Sequence, residues 1–329
     1  MTLARRVSDL AQRARSAAEA LGAAISPVQR VWISRAFSAG FLALVFFMLW
    51  RELKDTDWAA VANALPTAPA FYLLFFLRFM LLPVTEASIY GAIWRKNLIG
   101  HFGAFLKKRV LNFSVGGQLG DAWFIFWAGP TFKLKKREIF SAVKDVTILS
   151  AAASNAVAAV MLVGFALFGD PSMMGAWGDD ILLVITIVVG AGLALSAALI
   201  WFRGGLIKLS RRNIWIAFGG HAVRSILAVV LLAGQWSAGL PGVAFVAWFN
   251  LLIIELLVTR APFIPGKDLL FLSLALTLAQ SIDAPEAAVT ALFLFNAALS
   301  QVVSGLSYVV GLLWRKDEAP AATKTSDGL

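Results

Sequence analysis

The chain has 329 residues, of which 60% are hydrophobic and only 15% are charged, and its mean hydropathy of +0.79 excludes an ordinary water-soluble globular domain. It has no cysteine, which excludes disulfides, thiolate nucleophiles and cysteine-bound metal or iron–sulfur sites. We attribute the formal net charge of +10 to membrane topology and to contact with anionic lipid, and not to nucleic acid.

The chain is predicted to consist of a basic amphipathic segment over residues 1–30, an integral membrane domain over 31–316 and a disordered cytoplasmic tail over 317–329. Leucine, valine and alanine recur at helical spacing in the first segment and arginines occupy the other faces, which suits a helix lying on the cytoplasmic leaflet. A mobile topogenic tail is the alternative. The first long apolar run begins only at Val31, which is not typical of a cleavable signal. We expect any activity to lie within the bilayer.

Several apolar runs are long enough to cross a hydrocarbon core of roughly 30 Å at 1.5 Å per residue. The clearest are 31–50, 69–94, 139–168, 181–202, 214–234 and 287–314. Lysine and arginine precede the first run and follow the last one, so the positive-inside rule predicts that both termini are cytoplasmic. This pattern predicts an all-α polytopic protein of the bacterial inner membrane with about six full spans.

The apolar stretch 110–127 lies between two basic clusters, 107–109 and 133–137, so both of its ends are predicted to be cytoplasmic. Its centre carries five residues suited to a chain break or a polar site: Asn112, Gly116, Gly117, Gly120 and Asp121. A segment with both ends on one side is not a simple span, and the pattern favours a re-entrant helical hairpin. Such hairpins usually line a site, because protein or cavity water must satisfy their backbone. A short amphipathic helix in the interface is the alternative.

A second break lies at 260–268 within the apolar region 243–281, where two prolines, including Pro265, and Gly266 interrupt helix formation. This region either crosses the membrane twice or enters from outside and returns. In the second case each half has the order span, span, hairpin, span with opposite orientation, which is an inverted repeat. Transporters with this plan bind their ligand near the midplane, where the broken elements meet.

Charged groups inside apolar segments are energetically expensive, and they indicate either function or structural pairing. The candidates are Arg78, Glu86, Asp121, Lys144, Asp145, Arg224 and Glu255, together with Arg260, Lys267 and Asp268 around the second break. A planar guanidinium suits bidentate recognition of phosphate, so Arg78 and Arg224 are candidates for binding a lipid headgroup, with pairing to carboxylates as the alternative. Asp121 and Glu255 are candidates for contacting a cationic headgroup or for proton coupling. His221 is expected to be a hydrogen-bonded packing residue, with a ligand or a proton relay as the alternative.

Enzyme signatures are missing from the sequence. It contains no G-x-S-x-G, no H-E-x-x-H, no Walker A and no paired aspartate motif for Mg²⁺. We therefore expect no enzymatic activity, no cofactor and no metal site.

Three passages resemble a known family. They are Asn112-Phe-Ser-Val-Gly-Gly-Gln-Leu-Gly-Asp121, Lys144-Asp145 and Pro262-Phe-Ile-Pro-Gly266. Together with the hydropathy layout over roughly residues 30–315, they are similar to the membrane-embedded flippase domain family of lysylphosphatidylglycerol synthetases and their stand-alone relatives. Relatives usually carry Glu-Arg where this chain has Lys144-Asp145, and an Arg where it has Trp123. After the Pro-Gly turn they carry Gly and Glu, where this chain has Lys267 and Asp268. The separate aminoacyl-transfer domain is absent, so lipid aminoacylation is not implied.

The resemblance implies a lipid translocase whose broken segments form a polar headgroup cavity. The predicted headgroup-binding residues are Arg78, Glu86, Asn112, Gly116, Gly117, Asp121, Lys144, Asp145, Arg224, Glu255, Pro265 and Gly266. The departures from the family pattern imply a different lipid or a loss of transport. A non-transporting scaffold that presents lipid to a membrane glycosyltransferase or lipid synthase is the alternative. A lipid-modifying enzyme and a transporter of soluble solutes are further alternatives.

Overall fold

A computed structural model describes residues 57–114, 119–168, 207–260 and 285–313, together with positions 47, 50, 54, 190, 192–194, 271 and 275. Within these residues the regular structure is helical and contains no β-strand, which confirms the all-α prediction. Several predictions concern the other parts of the chain. Outside the described residues lie 1–30, most of 31–50, most of 181–202, Gly116, Gly117, the break at 261–268 with Pro265 and Gly266, and 317–329.

Eight α-helices are described. They are α1 Trp58–Asn63, α2 Pro69–Trp94, α3 Phe102–Ser114, α4 Leu119–Phe132, α5 Lys136–Phe168, α6 Arg211–Gly239, α7 Phe245–Arg260 and α8 Glu286–Leu313. A short 3-10 turn, Ile99–His101, precedes α3. Asp57 starts α1 by accepting hydrogen bonds from the backbone N–H groups of Ala59 and Ala60, and the Ser210 hydroxyl caps α6 at Asn213.

Among the described residues, four helices are long and apolar enough to cross a membrane, namely α2, α5, α6 and α8. Their candidate spans of 24 to 29 residues correspond to roughly 36–44 Å of helix, more than a hydrocarbon core of about 30 Å requires. Large apolar side chains cover their outer faces, as expected for surfaces that contact lipid. Examples are Leu73, Phe76, Val160, Val163, Ile226, Val230, Val302 and Leu306. The chain is therefore a membrane protein.

Helix α6 lies at the centre of the described bundle, packed along α2 and α5. Gly234 of α6 lies against Leu74, and Gly220 lies against Ile89, so α2 and α6 run antiparallel. A Cβ at Gly220 would come within 3.2 Å of the Ile89 side chain, which shows that glycine permits the close approach. Helix α7 packs on α5 and α6, and α8 packs on α3 and α1.

Helices α3 and α4 form an antiparallel pair. The rings of His101 and Phe132 lie 5.2 Å apart at the open end of the pair, those of Phe105 and Phe124 lie 5.1 Å apart further along, and Asn112 contacts Gly120 at the opposite end. With 13 and 14 residues, each helix is about 20 Å long, too short to cross the hydrocarbon core alone. The pair occupies the place of the predicted hairpin, but it begins earlier and ends later than 110–127.

The prediction that residues 107–109 form a basic flank before the hairpin is wrong. These residues lie within α3, and the side chain of Lys108 is only 2% exposed. Helix α3 continues through them because Lys108 has carboxylate partners and the guanidinium of Arg109 rests on the ring of Phe79. Ion pairing and stacking on a ring compensate the burial of these basic side chains, so the helix can continue through them inside the protein.

Candidate functional site

A cavity of 390 Å³ lies in the described bundle. Its walls come from residues 75–82 of α2, 224–236 of α6 and 293–304 of α8, with single residues from α3 and α7 and with Phe271. The stretches in α2 and α8 lie in the middle parts of those helices, whereas the stretch in α6 runs from the middle of the helix, at Arg224, toward its C-terminal end. The cavity therefore lies within the candidate spans, and Arg78 and Arg224 line it from their middle parts.

Three arginines line this cavity, Arg78 from α2, Arg109 from α3 and Arg224 from α6, together with one carboxylate, Glu255 from α7. A smaller pocket of 110 Å³ shares Arg78, Arg224 and Glu255 with it. The described lining thus has an excess of two positive charges. A surrounding of low dielectric strengthens the attraction of such a cluster for an anion. We call Arg78, Arg109 and Arg224 the arginine cluster.

The guanidinium of Arg224 is fixed from α5 and from its own helix. Its Nη2 atom donates to the Oγ atoms of Ser154 at 3.2 Å and Ser225 at 3.3 Å, and the two hydroxyls lie 3.0 Å apart. The Nε–H group has no acceptor among the described residues. The serine pair therefore orients this guanidinium and leaves hydrogen-bonding capacity for a ligand.

Arg109 is held differently. The Cζ atom of its guanidinium lies 3.9 Å from the centroid of the Phe79 ring, which is a cation–π contact. Its Nε–H also lacks an acceptor among the described residues. Because the ring stabilises the charge without accepting an N–H hydrogen bond, donors remain for an anionic group.

A second group of charges lies beside the cavity. Lys108 Nζ lies 2.7 Å from Glu86 Oε1 and 2.9 Å from Asp121 Oδ1, and it also lies 5.2 Å from the ring centroids of Tyr90 and Phe124. We call Glu86, Lys108 and Asp121 the Lys108 triad. It joins α2, α3 and α4 through opposite charges that are largely excluded from solvent.

Asn112 connects the two helices of the hairpin. Its Oδ1 atom accepts the backbone N–H groups of Gly120 at 2.7 Å and Asp121 at 3.2 Å, and its Nδ2 donates to Asp121 Oδ2 at 3.2 Å. These contacts satisfy N–H groups at the start of α4 that have no partner within the helix. A Cβ on Gly120 would overlap the carbonyl oxygen of Lys108, so only glycine fits here.

The predicted pair Lys144 and Asp145 lies elsewhere. Asp145 is fully buried, and its Oδ2 accepts the backbone N–H groups of Lys208 at 2.7 Å and Leu209 at 3.1 Å, while Oδ1 lies 2.9 Å from Lys144 Nζ. These contacts tie α5 to the segment that enters α6. Neither residue lines the cavity.

The predicted site residues thus fall into three groups. Arg78, Arg224 and Glu255 share the cavity; Glu86, Asn112 and Asp121 meet around Lys108; Lys144 and Asp145 form the separate α5 anchor. Sequence reasoning missed Lys108, Arg109, Asn296, Ser300 and Ser304. A usable signal existed for the last three, which recur at every fourth position of the apolar helix α8 and line the cavity.

His221 is buried, as expected of a packing residue, but its ring nitrogens have no hydrogen-bond partner among the described residues, so the expected hydrogen bonding is not seen there. Within the described ranges, no three His, Asp or Glu side chains come together in the way that a metal ion requires. Comparison of the chain with protein-family models, curated proteins and solved structures gave no match.

Proposed function

We propose that the protein binds the phosphate of a membrane-lipid headgroup in the 390 Å³ cavity and moves that headgroup across the bacterial inner membrane. The arginine cluster carries this proposal, since Arg78 and Arg224 lie in the middle parts of their candidate spans. A charged side chain at the bilayer centre costs at least about 2.5–3.5 kcal/mol of free energy. Three arginines around one carboxylate are therefore expected where cavity water or an anionic ligand offsets that cost.

The size of the cavity also suits a headgroup. Small-molecule sites usually enclose about 300–1,000 Å³, and 390 Å³ is at the lower end of that range. A headgroup fits such a space, whereas the acyl chains remain in the bilayer. Guanidinium groups match phosphate oxygens with paired N–H donors, which lysine does not offer in the same planar form.

The topology that accompanies this proposal has both termini in the cytoplasm and about six spans, including 31–50 and 181–202. Helices α3 and α4 form a re-entrant hairpin, since each is too short to cross and the basic residues of 95–96 and 133–137 flank the pair. The hairpin brings Arg109 to the cavity. A second hairpin at 260–268, giving an inverted repeat, is compatible with this arrangement.

The experiment is headgroup crossing in vesicles reconstituted with the purified chain and a fluorescent phospholipid. Arg109→Gln and Arg224→Gln are compared with Arg211→Gln and Arg212→Gln, which make the same charge change at exposed positions at the start of α6. Loss of a charge-assisted hydrogen bond costs about 1.5–3 kcal/mol, so crossing should slow about tenfold or more in the cavity variants only.

Cavity variants that fold and still move the phospholipid at the wild-type rate would refute the proposal. A different result would favour the second function. If the wild-type protein binds lipid through the arginines but does not move it, the protein is a scaffold that presents lipid to a membrane glycosyltransferase or synthase.

A further inference from the structure

Glu255 is the one carboxylate in the described lining of the cavity, and it lies among the arginines. It comes from α7, whereas Arg78 and Arg224 come from α2 and α6, and all three residues line the smaller 110 Å³ pocket. The rest of that pocket is Ser225 and apolar residues of α6 and α7. Opposite charges attract strongly in such a surrounding of low dielectric. A carboxylate of the protein thus shares a pocket with two of the guanidinium groups that are proposed to hold the phosphate.

The cations of the arginine cluster repel one another. Arg109 is close enough to Arg78 and Arg224 to be affected by the positive charge of both. The Glu86 carboxylate also attracts Arg109 and Arg224, but it is an ion-pair partner within the Lys108 triad. In the described lining, Glu255 is therefore the side chain that can offset this repulsion before a ligand binds.

Charge also limits which headgroups the site accepts. Three arginines and one glutamate give the described lining a net charge of +2, and the Lys108 triad, with one lysine and two carboxylates, has −1. Together the two groups have a net charge of +1. Each of their carboxylates already has a cation beside it, either a lysine or arginines. An ammonium group on the lipid would therefore meet mainly positive charge, and juxtaposed like charges oppose binding.

We infer that the ligand is a lipid with a net negative charge and no cation in its headgroup, and that Glu255 is the counter-ion that its phosphate displaces from the arginines. This inference rests on the proposed function and names both the class of lipid and the residue that regulates its release. When the lipid binds, its phosphate replaces the carboxylate as the partner of the guanidinium groups. When the lipid leaves, the carboxylate returns. Glu255 therefore lowers the affinity for the lipid and speeds its release.

The first measurement is the affinity of the purified full-length protein for phosphatidylglycerol and phosphatidylethanolamine, obtained by native mass spectrometry. Both lipids contain a phosphodiester, but only the second has an ammonium group. Wild-type protein should bind phosphatidylglycerol at least about tenfold more tightly. Glu255→Gln should tighten phosphatidylglycerol binding about tenfold, because a neutral amide competes poorly for the arginines. Glu138→Gln, at an exposed position of α5, is the matched control and should leave both affinities unchanged.

The second measurement is the crossing of fluorescent phosphatidylglycerol in reconstituted vesicles. Glu255→Gln should slow this crossing about tenfold although it binds the lipid more tightly, since no anion then replaces the phosphate during release. Glu255→Asp keeps the charge on a shorter side chain and competes less well, so the affinity should rise in the order wild type, Asp, Gln. If the Gln variant does not fold, the Asp variant decides, and binding no tighter than in wild type overturns the inference.

Arg224→Gln distinguishes failure of the inference from failure of the proposed function. If it weakens phosphatidylglycerol binding while Glu255→Gln leaves that binding unchanged or weakens it, the inference is overturned and the proposed function stands. The same holds if wild-type protein binds phosphatidylethanolamine as tightly as phosphatidylglycerol, or if Glu255→Gln binds phosphatidylglycerol more tightly but moves it at the wild-type rate. If Arg224→Gln changes the binding of neither lipid, both the inference and the proposed function are overturned.

Discussion

Replacing Lys108 with methionine should strongly destabilise the protein. Methionine keeps most of the side-chain length but removes the cation that lies 2.7 Å from Glu86 and 2.9 Å from Asp121. The two carboxylate side chains are only 10% and 16% exposed, so water does not replace the ammonium group. Removing one partner of a buried ion pair typically costs about 3–5 kcal/mol, because the opposite charge stays buried without compensation.

A triple variant separates the cost of uncompensated charge from the loss of packing. Lys108→Met combined with Glu86→Gln and Asp121→Asn has no charge in the triad and similar side-chain volumes. Two buried neutral amides cost less free energy than two uncompensated carboxylates, so a large part of the lost stability should return. Arg212→Met, at an exposed position on α6, is the matched control for loss of a cation.

The assay is unfolding in mixed micelles of mild detergent and SDS, followed by tryptophan fluorescence, which the 12 tryptophans make sensitive. The free energy of unfolding should fall by about 3–5 kcal/mol in Lys108→Met and by much less in the triple variant. A single variant as stable as wild type would show that the triad does not stabilise the fold. A triple variant as unstable as the single one would show that packing, and not charge, dominates.

Two further predictions concern the hairpin and the cavity. Gly120→Ala should lower the melting temperature, because the added Cβ overpacks against the Lys108 backbone at a cost of about 1–3 kcal/mol. Gly100→Ala is the control, since no atom lies within 4 Å of its added Cβ, and its melting temperature should be nearly unchanged. Equal melting temperatures for the two variants would contradict the close packing at Gly120. Ser154→Ala removes one acceptor from the Arg224 Nη2 group, so affinity for phosphatidic acid should fall several-fold while the melting temperature changes little. Unchanged affinity in that variant would show that Ser154 does not position the guanidinium.

Hydropathy predicted the long helices well because the bilayer imposes both their length and their composition. The predicted span 69–94 coincides with α2, and the apolar runs 139–168, 214–234 and 287–314 match α5, α6 and α8 within a few residues at each end. A helix in hydrocarbon must satisfy all its backbone groups internally and present apolar side chains outward, so its sequence shows where it lies.

The interior of α3 could not be predicted in this way. Lys107, Lys108 and Arg109 form a local basic cluster, and the positive-inside rule treats such clusters as solvated. Their actual environment depends on Glu86, which is 22 residues away in sequence on another helix, and on the ring of Phe79. Tertiary partners of this kind leave no local signature in the sequence.

The candidate site was partly predictable, because a charge within an apolar span can be recognised from the sequence but its partner cannot. Arg78 and Arg224 were identified because a charge deep in an apolar span is costly wherever it lies, and both line the cavity. Glu86 and Asp121 were identified by the same argument, but the structure places them against Lys108. Depth alone indicates that a charge needs a partner. It does not tell whether the partner is a ligand or another side chain.

The two groups of charges illustrate this difference and are physically connected. In the Lys108 triad one cation faces two carboxylates, whereas three cations share one carboxylate in the described lining of the cavity. Lys108 and Arg109 are adjacent on α3, so the contacts that fix Lys108 to α2 and α4 also fix the backbone from which Arg109 reaches the cavity. We therefore regard the triad as a structural support that positions part of the arginine cluster, and the cluster as the site that we propose for an anionic headgroup.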